Sequence, residues 1–199
     1  MLLYSQFALE RNDAVDRRVK AAAWYVEPGY KFSALLWSPQ LDLRYAHFSG
    51  DPNPNDRLKQ SWDPLFTTGG DRGFGSWFLG EIFGQYISAN SNLDLAMAHL
   101  KISPLETLDT GILYYNFRFN QTAQFDNALI TSKNAAQEVD FYAVWSATEW
   151  LTITGVLAFA VPGAGLKQAA RAFVIDNGPP GGTVGRTMSL AEAFVAIKY

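Results

Sequence analysis

Residues 111–119 read GILYYNFRF, and their order decides the fold class. Leu113, Tyr115, Phe117 and Phe119 fall on one side of an extended chain, and Tyr114, Asn116, Arg118 and Asn120 on the other. Successive side chains of a strand point to opposite faces, so a period of two predicts a β-strand. The pattern recurs. Leu151, Ile153, Gly155, Leu157 and Phe159 alternate with Thr152, Thr154, Val156, Ala158 and Ala160. Val139, Phe141, Ala143 and Trp145 alternate with Glu138, Asp140, Tyr142 and Val144. About eight such segments occur, near 2–11, 18–30, 39–48, 91–101, 107–119, 137–145, 149–160 and 187–199. Alternating segments of about ten residues are the signature of a transmembrane β-barrel.

The connections carry more information than the strands. Short ones fall near 31–38, 102–106 and 146–148; long ones fall near 49–90, 120–136 and 161–186, with a shorter one at 12–17. Outer-membrane barrels have short periplasmic turns and long extracellular loops. Counting back from Tyr199 places every long loop outside. The short turns also resemble one another: Ser103-Pro104-Leu105-Glu106 echoes Ser146-Ala147-Thr148-Glu149. The expected fold is all-β, an antiparallel up-and-down transmembrane barrel. Residues 1–199 are expected to form a single domain of about eight strands, the C-terminal part of a larger barrel whose N-terminal part would lie upstream. Leu113, Tyr115, Phe117, Val139, Phe141, Trp145, Leu151, Ile153, Leu157, Val195 and Ile197 are expected to face lipid.

Composition agrees. Hydrophobic residues make up 48% of the 199, yet the mean hydropathy is only −0.06, so apolar and polar residues are interleaved. Aromatics reach 15%, which suits a wall that meets lipid. A net charge of −3 gives no basic face for nucleic acid. There is no cysteine, hence no disulfide framework or thiolate chemistry. No stretch approaches the roughly 18 apolar residues of a membrane helix. At the C-terminus Ala191, Ala193, Val195, Ile197 and Tyr199 share one face and end on the aromatic. This resembles the mark that barrel-assembly machinery reads in bacterial outer-membrane proteins, so that machinery is an expected partner.

Several stretches resemble one family. They are WYVEPGYKFSALLWSPQLDLRYAHFSGDPNP (Trp24 to Pro54), DPLF (Asp63 to Phe66), GSWFLGEIFGQY (Gly75 to Tyr86) and NSNL (Asn90 to Leu93). Together they are similar to the alginate-export family of outer-membrane porins, most strongly over residues 20–160. The resemblance implies a bacterial outer-membrane location, a large barrel of the 16–18-stranded class, no enzymatic step, and passage of an anionic or polar oligosaccharide such as alginate.

A uronate pore calls for Arg and Lys on its lumen, because the substrate carries carboxylates. Arg44 and Arg118 are the expected substrate contacts, with Tyr114 and Asn116 beside them. The same inward faces are expected to hold Glu10, Glu27, Asp42, Asp94, Glu138, Asp140, Glu192 and Lys198, a mixed and net acidic set. Two readings stay open: a ring that attracts carboxylates, or cross-strand ion pairs that brace the wall. In the loop after Phe48, Asp51, Asn53, Asn55, Asp56 and Asp63 are oxygen donors of the kind Ca²⁺ favours, against the plainer reading of a polar loop. Its later part, with Phe74, Trp77, Phe78, Ile82 and Phe83, is too apolar to be solvated. It is expected to fold into the lumen as a constriction rather than to form an extra strand. AGLKQAARAFVID, residues 164–176, suggests a short helix, as part of a lid or of a surface loop. His47 and His99 read as strand-end residues of the interface zone. No G-x-S-x-G, H-E-x-x-H or Walker pattern occurs. The rival functions are a small closed eight-stranded structural or adhesive barrel, an outer-membrane enzyme built around His47, and a soluble β-sandwich binder.

Overall fold

The computed structural model describes residues 1–13, 18–64, 79–88, 90–177 and 186–198, with the side chains of 173–177 excepted. Among these residues nine strands form one sheet: β1 (Leu2–Asn12), β2 (Arg18–Lys31), β3 (Gln40–Phe48), β4 (Leu58–Lys59), β5 (Leu93–Leu105), β6 (Leu108–Phe119), β7 (Asn134–Ser146), β8 (Leu151–Pro162) and β9 (Met188–Ile197). The main path runs β1-β2-β3-β5-β6-β7-β8-β9, and every pairing along it is antiparallel. The two-residue β4 lies off this path and pairs parallel with the start of β2. β5 reaches Leu105, so the β5–β6 turn is shorter than the segment 102–106 suggests. Among the described residues no pairing joins β1 to β9, and the sheet stays open.

The sheet is sheared. Asn12 pairs with Val19, four positions beyond the rung of Ala23 and Phe48. Met188 sits on the rung of Ala160, Glu138, Tyr115, Met97 and Arg44, four positions before it. The loop-side strand ends therefore step back steadily from β1 to β9, a slope of roughly 40° at about 3.3 Å per residue and about 4.8 Å per strand. The turn-side ends step the same way, from Leu2 to Ile197. Such a tilt accompanies closure of a β-barrel. Strands of 9 to 14 residues at that slope cross the hydrocarbon thickness of a bilayer.

Long loops gather at one end. Gly50 N–H donates to Asn120 Oδ1 (3.0 Å) and Asp51 N–H to Gln124 Oε1 (2.8 Å), tying the loop after β3 to the loop after β6. The predicted helix is present as α1 (Ala164–Asn177) after β8. Gln168 Oε1 accepts from the backbone of Thr131 and Ser132, which fastens α1 to the loop before β7. At the other end the β2–β3 turn is held by a 2.9 Å bond from Ser103 N–H to the Trp37 carbonyl.

The two faces differ. One exposes large apolar groups in the middle of strands: Leu43, Tyr45, Phe141, Leu157 and Val195 are 43–62% exposed. A soluble protein rarely leaves so wide an apolar surface open. Val139, Phe141, Trp145, Leu151, Ile153, Leu157, Val195 and Ile197 share this outer face, as expected. Leu113, Tyr115 and Phe117 do not. They are fully buried on the inner face, opposite His99, Met97 and Leu95. The alternation of β6 is as read, but its sign is reversed, because a folded-back segment rather than water covers the inner side of β6.

Candidate functional site

The inner face carries a row of polar groups across β2, β3, β5 and β7. Gly29 makes room for it: a Cβ there would lie 2.0 Å from Asp42 Oδ1, so only glycine lets the Asp42 carboxylate rest on β2. Gln40 Nε2 donates to both oxygens of Asp42, at 3.0 and 2.9 Å. Arg44 Nε pairs with Glu27 Oε2 at 2.5 Å, and its guanidinium lies 5.3 Å from the Tyr25 ring centre. Asp42 Oδ2 is 3.2 Å from His99 Nδ1, and His99 Nε2 is 2.8 Å from the Tyr142 hydroxyl. Gly111 stands between β5 and β7, and a side chain on it would meet the Tyr142 ring at 2.7 Å. Buried charges are tolerated only when paired and hydrogen-bonded, and this row meets that condition residue by residue.

Segment 79–88 lies on top. It is apolar and ends in a π-helical turn, Phe83–Ser88. Its first backbone N–H groups point at β7: Ile82 and Phe83 donate to the two oxygens of Glu138, each at 2.8 Å, and Glu81 donates to Asp140 at 3.2 Å. Phe83 packs 4.7 Å from Phe117 and 6.5 Å from Phe119. Ile82 packs against Ala158 and Ala160 of β8. Gly80 has φ +93°, a left-handed conformation, and a Cβ on it would strike the Phe117 ring at 2.6 Å. Tyr86 donates its hydroxyl to Glu192 of β9 at 2.8 Å, and this bond holds the phenol pKa above its ordinary value. The segment thus spans the inner face from β6 to β9. Ile82 and Phe83 thus lie on the inner face, the side to which the sequence assigns this segment; Phe74, Trp77 and Phe78 lie outside the described residues.

Residues 7–173 match the family described as "Alginate export". The chain belongs to the alginate export family. Among curated proteins, none matches it. The match runs from the middle of β1 through β8 and most of α1, and stops before β9. No helix of the described residues is long and apolar enough to cross a membrane, which leaves crossing by strands untouched.

For a member of this family the four expected substrate contacts divide. Arg44 is on the inner face, 2% exposed and paired with Glu27. Tyr114, Asn116 and Arg118 face outward, on the rungs of Ala98, Ala96 and Asp94. The reason is again β6, whose bulky apolar side chains pack under segment 79–88 and turn its polar ones out. Arg118 is also not level with Arg44. Arg44 shares its rung with Tyr115, three positions closer to the turns. Asp94 likewise faces outward, where its Oδ1 is 2.6 Å from His47 Nδ1. His47 stacks on Trp24 at 5.6 Å and fits the interface zone, whereas His99 is a buried mid-strand residue of the inner row.

The oxygen donors of the loop after β3 are engaged locally. Asp51 accepts from the N–H groups of Asn53 and Gln60, Asp56 from that of Leu58, and Asp63 from the Lys59 ammonium. Asn55 donates to Asp126. Among the described residues no three His, Cys, Asp or Glu side chains converge as a metal site requires. Sequence reasoning missed His99, Tyr142 and Glu81. The one available signal was Gly111, since a glycine inside a strand marks close approach by another group.

Proposed function

We propose that this chain forms part of the wall of a bacterial outer-membrane channel that exports an anionic or polar oligosaccharide such as alginate. Family membership supports the cargo. The observation that carries the membrane reading is the two-faced sheared sheet, with exposed Leu43, Phe141, Leu157 and Val195 on one side and the Glu27–Arg44 and Asp42–His99 pairs on the other. A closed eight-stranded barrel is disfavoured by the open β1 and β9 edges. An enzyme centred on His47 is disfavoured by its outward position, on the face that exposes Leu43 and Tyr45. In this reading barrel-assembly machinery engages β9, an edge strand with Ala191, Ala193, Val195 and Ile197 on its lipid side.

Arg44 is the expected contact that stays on the lumen wall. A uronate carboxylate would exchange with Glu27 for the guanidinium. The test uses the full-length protein in planar bilayers. Arg44→Gln should weaken block by a short alginate oligomer, and Glu27→Gln should strengthen it. Equal block in both variants would make the pair a brace only. Absence of any conductance would remove the channel reading.

A further inference from the structure

The outer face holds few charged groups, and their placement is one-sided. Along the eight long strands the outward acidic and basic residues, histidine included, among those described are Arg11, Arg18, Lys20, His47, Asp94 and Arg118. Each lies within two residues of the loop-side end of its strand. The turn-side half of that face carries Tyr30, Trp145, Ile153, Val195 and Ile197 instead, and no charge. The single acid, Asp94, is already engaged by His47 at 2.6 Å and by Asn120 at 3.1 Å. Arg11, Lys20 and Arg118 are exposed and enter no ion pair among the described residues.

Cations at the ends of membrane-crossing elements extend to the polar interface along their own stems. That accounts for their tolerance, but a symmetric need for solubility would place them at both ends. Here one end is basic over β1 to β6, about 20 Å at about 4.8 Å per strand, and the other is aromatic and aliphatic. Phosphate is the lipid group that matches such a collar, because guanidinium binds it through two parallel hydrogen bonds.

We propose that this outward collar of Arg11, Lys20 and Arg118, with His47 beside them, binds the phosphate groups of lipids in the leaflet on the long-loop side. The proposal rests on the membrane-wall reading. It fixes which leaflet meets the loops and gives the wall a specific lipid partner. The collar lies on the face opposite Arg44, so its occupant is not cargo in the lumen. A soluble anionic oligosaccharide would not require continuity with the apolar belt below, through Tyr45, Val26 and Tyr114.

The test reconstitutes full-length protein in phosphatidylcholine nanodiscs doped with bisphosphorylated lipid A or its fully dephosphorylated form. Lipid retained after detergent extraction is counted by native mass spectrometry. Wild type should retain the phosphorylated form at least tenfold better, and added salt should erode the preference. The triple variant R11Q/K20Q/R118Q should lose the preference while keeping its conductance. Equal retention of the two lipids by wild type overturns the proposal without any variant. So does displacement of the lipid by a short alginate oligomer, which would assign the collar to the polysaccharide. If wild type inserts and conducts but shows no preference, the collar fails and the channel stands. If it does not insert, both fail.

Discussion

β6 and β8 alternate equally well, yet they wear their side chains in opposite senses. β8 turns Leu157, Phe159 and Val161 outward and Val156, Ala158 and Ala160 inward. β6 turns Leu113, Tyr115, Phe117 and Phe119 inward and Tyr114, Asn116 and Arg118 outward. The difference lies in what covers each. Over β6 the Phe83 ring sits 4.7 Å from Phe117, so large apolar groups have a dry partner. Over β8 the small Ala158 and Ala160 make room for Ile82. A barrel strand therefore has two apolar solvents available, lipid on one side and a folded-in segment on the other. Its pattern fixes the faces but not which of them is outside.

The largest expected effect tests the inner side of this comparison. Phe117→Ala removes a fully buried ring from beneath segment 79–88 and should cost about 3–5 kcal/mol. It should also release the segment, seen as new protease cleavage within 79–88. A loss below about 1 kcal/mol would mean that the segment does not rest on β6.

Leu157→Arg tests the outer side. Leu157 is 52% exposed, and on a water-facing surface this change would be nearly neutral. Facing the bilayer midplane it should cost about 2–4 kcal/mol, read by urea titration in lipid vesicles. A neutral result would sink the lipid-facing assignment of β8.

Much of the fold was legible in the sequence, and the reason is local. Period two, loop length and turn residues are near-neighbour properties, so strand count, antiparallel order and the side of each loop follow from them. The orientation of β6 is not local. It depends on Phe83 and Gly80, which meet Phe117 from more than thirty residues upstream. The site divides in the same way. Asp42 and Arg44, two apart on one strand, announce a charged inner face, and Glu27 and His99 supply the cross-strand partners. Arg118 was misplaced with its strand. His99 looked bland because nothing near it in sequence reveals Asp42 or Tyr142.

A smaller effect sharpens the role of β7 as the dock for segment 79–88. In Glu138→Gln the new amide group faces one of the two N–H groups that the carboxylate served. A charge-assisted bond of this kind contributes about 1.5–3 kcal/mol, so the segment should loosen and open-channel conductance should rise. Unchanged conductance would show that Phe83 packing alone holds it. The smallest effect concerns the β9 side. Tyr86→Phe removes only the hydroxyl bond from an exposed Tyr86 to the half-buried Glu192 and should cost less than about 1 kcal/mol. A larger loss would move the anchor of the segment from β7 to β9.

The chain has no cysteine, so single thiols can be introduced without background labelling. Tyr114→Cys and Tyr115→Cys are neighbours on opposite faces of β6. Each would carry a nitroxide label in full-length protein reconstituted in lipid vesicles, with accessibility measured to oxygen, which partitions into lipid, and to a water-soluble nickel chelate. The label at 114 should be open to oxygen and shielded from nickel, and the label at 115 shielded from both. Oxygen access at 115 with a buried 114, or nickel access at 114, would contradict a lipid-facing barrel wall.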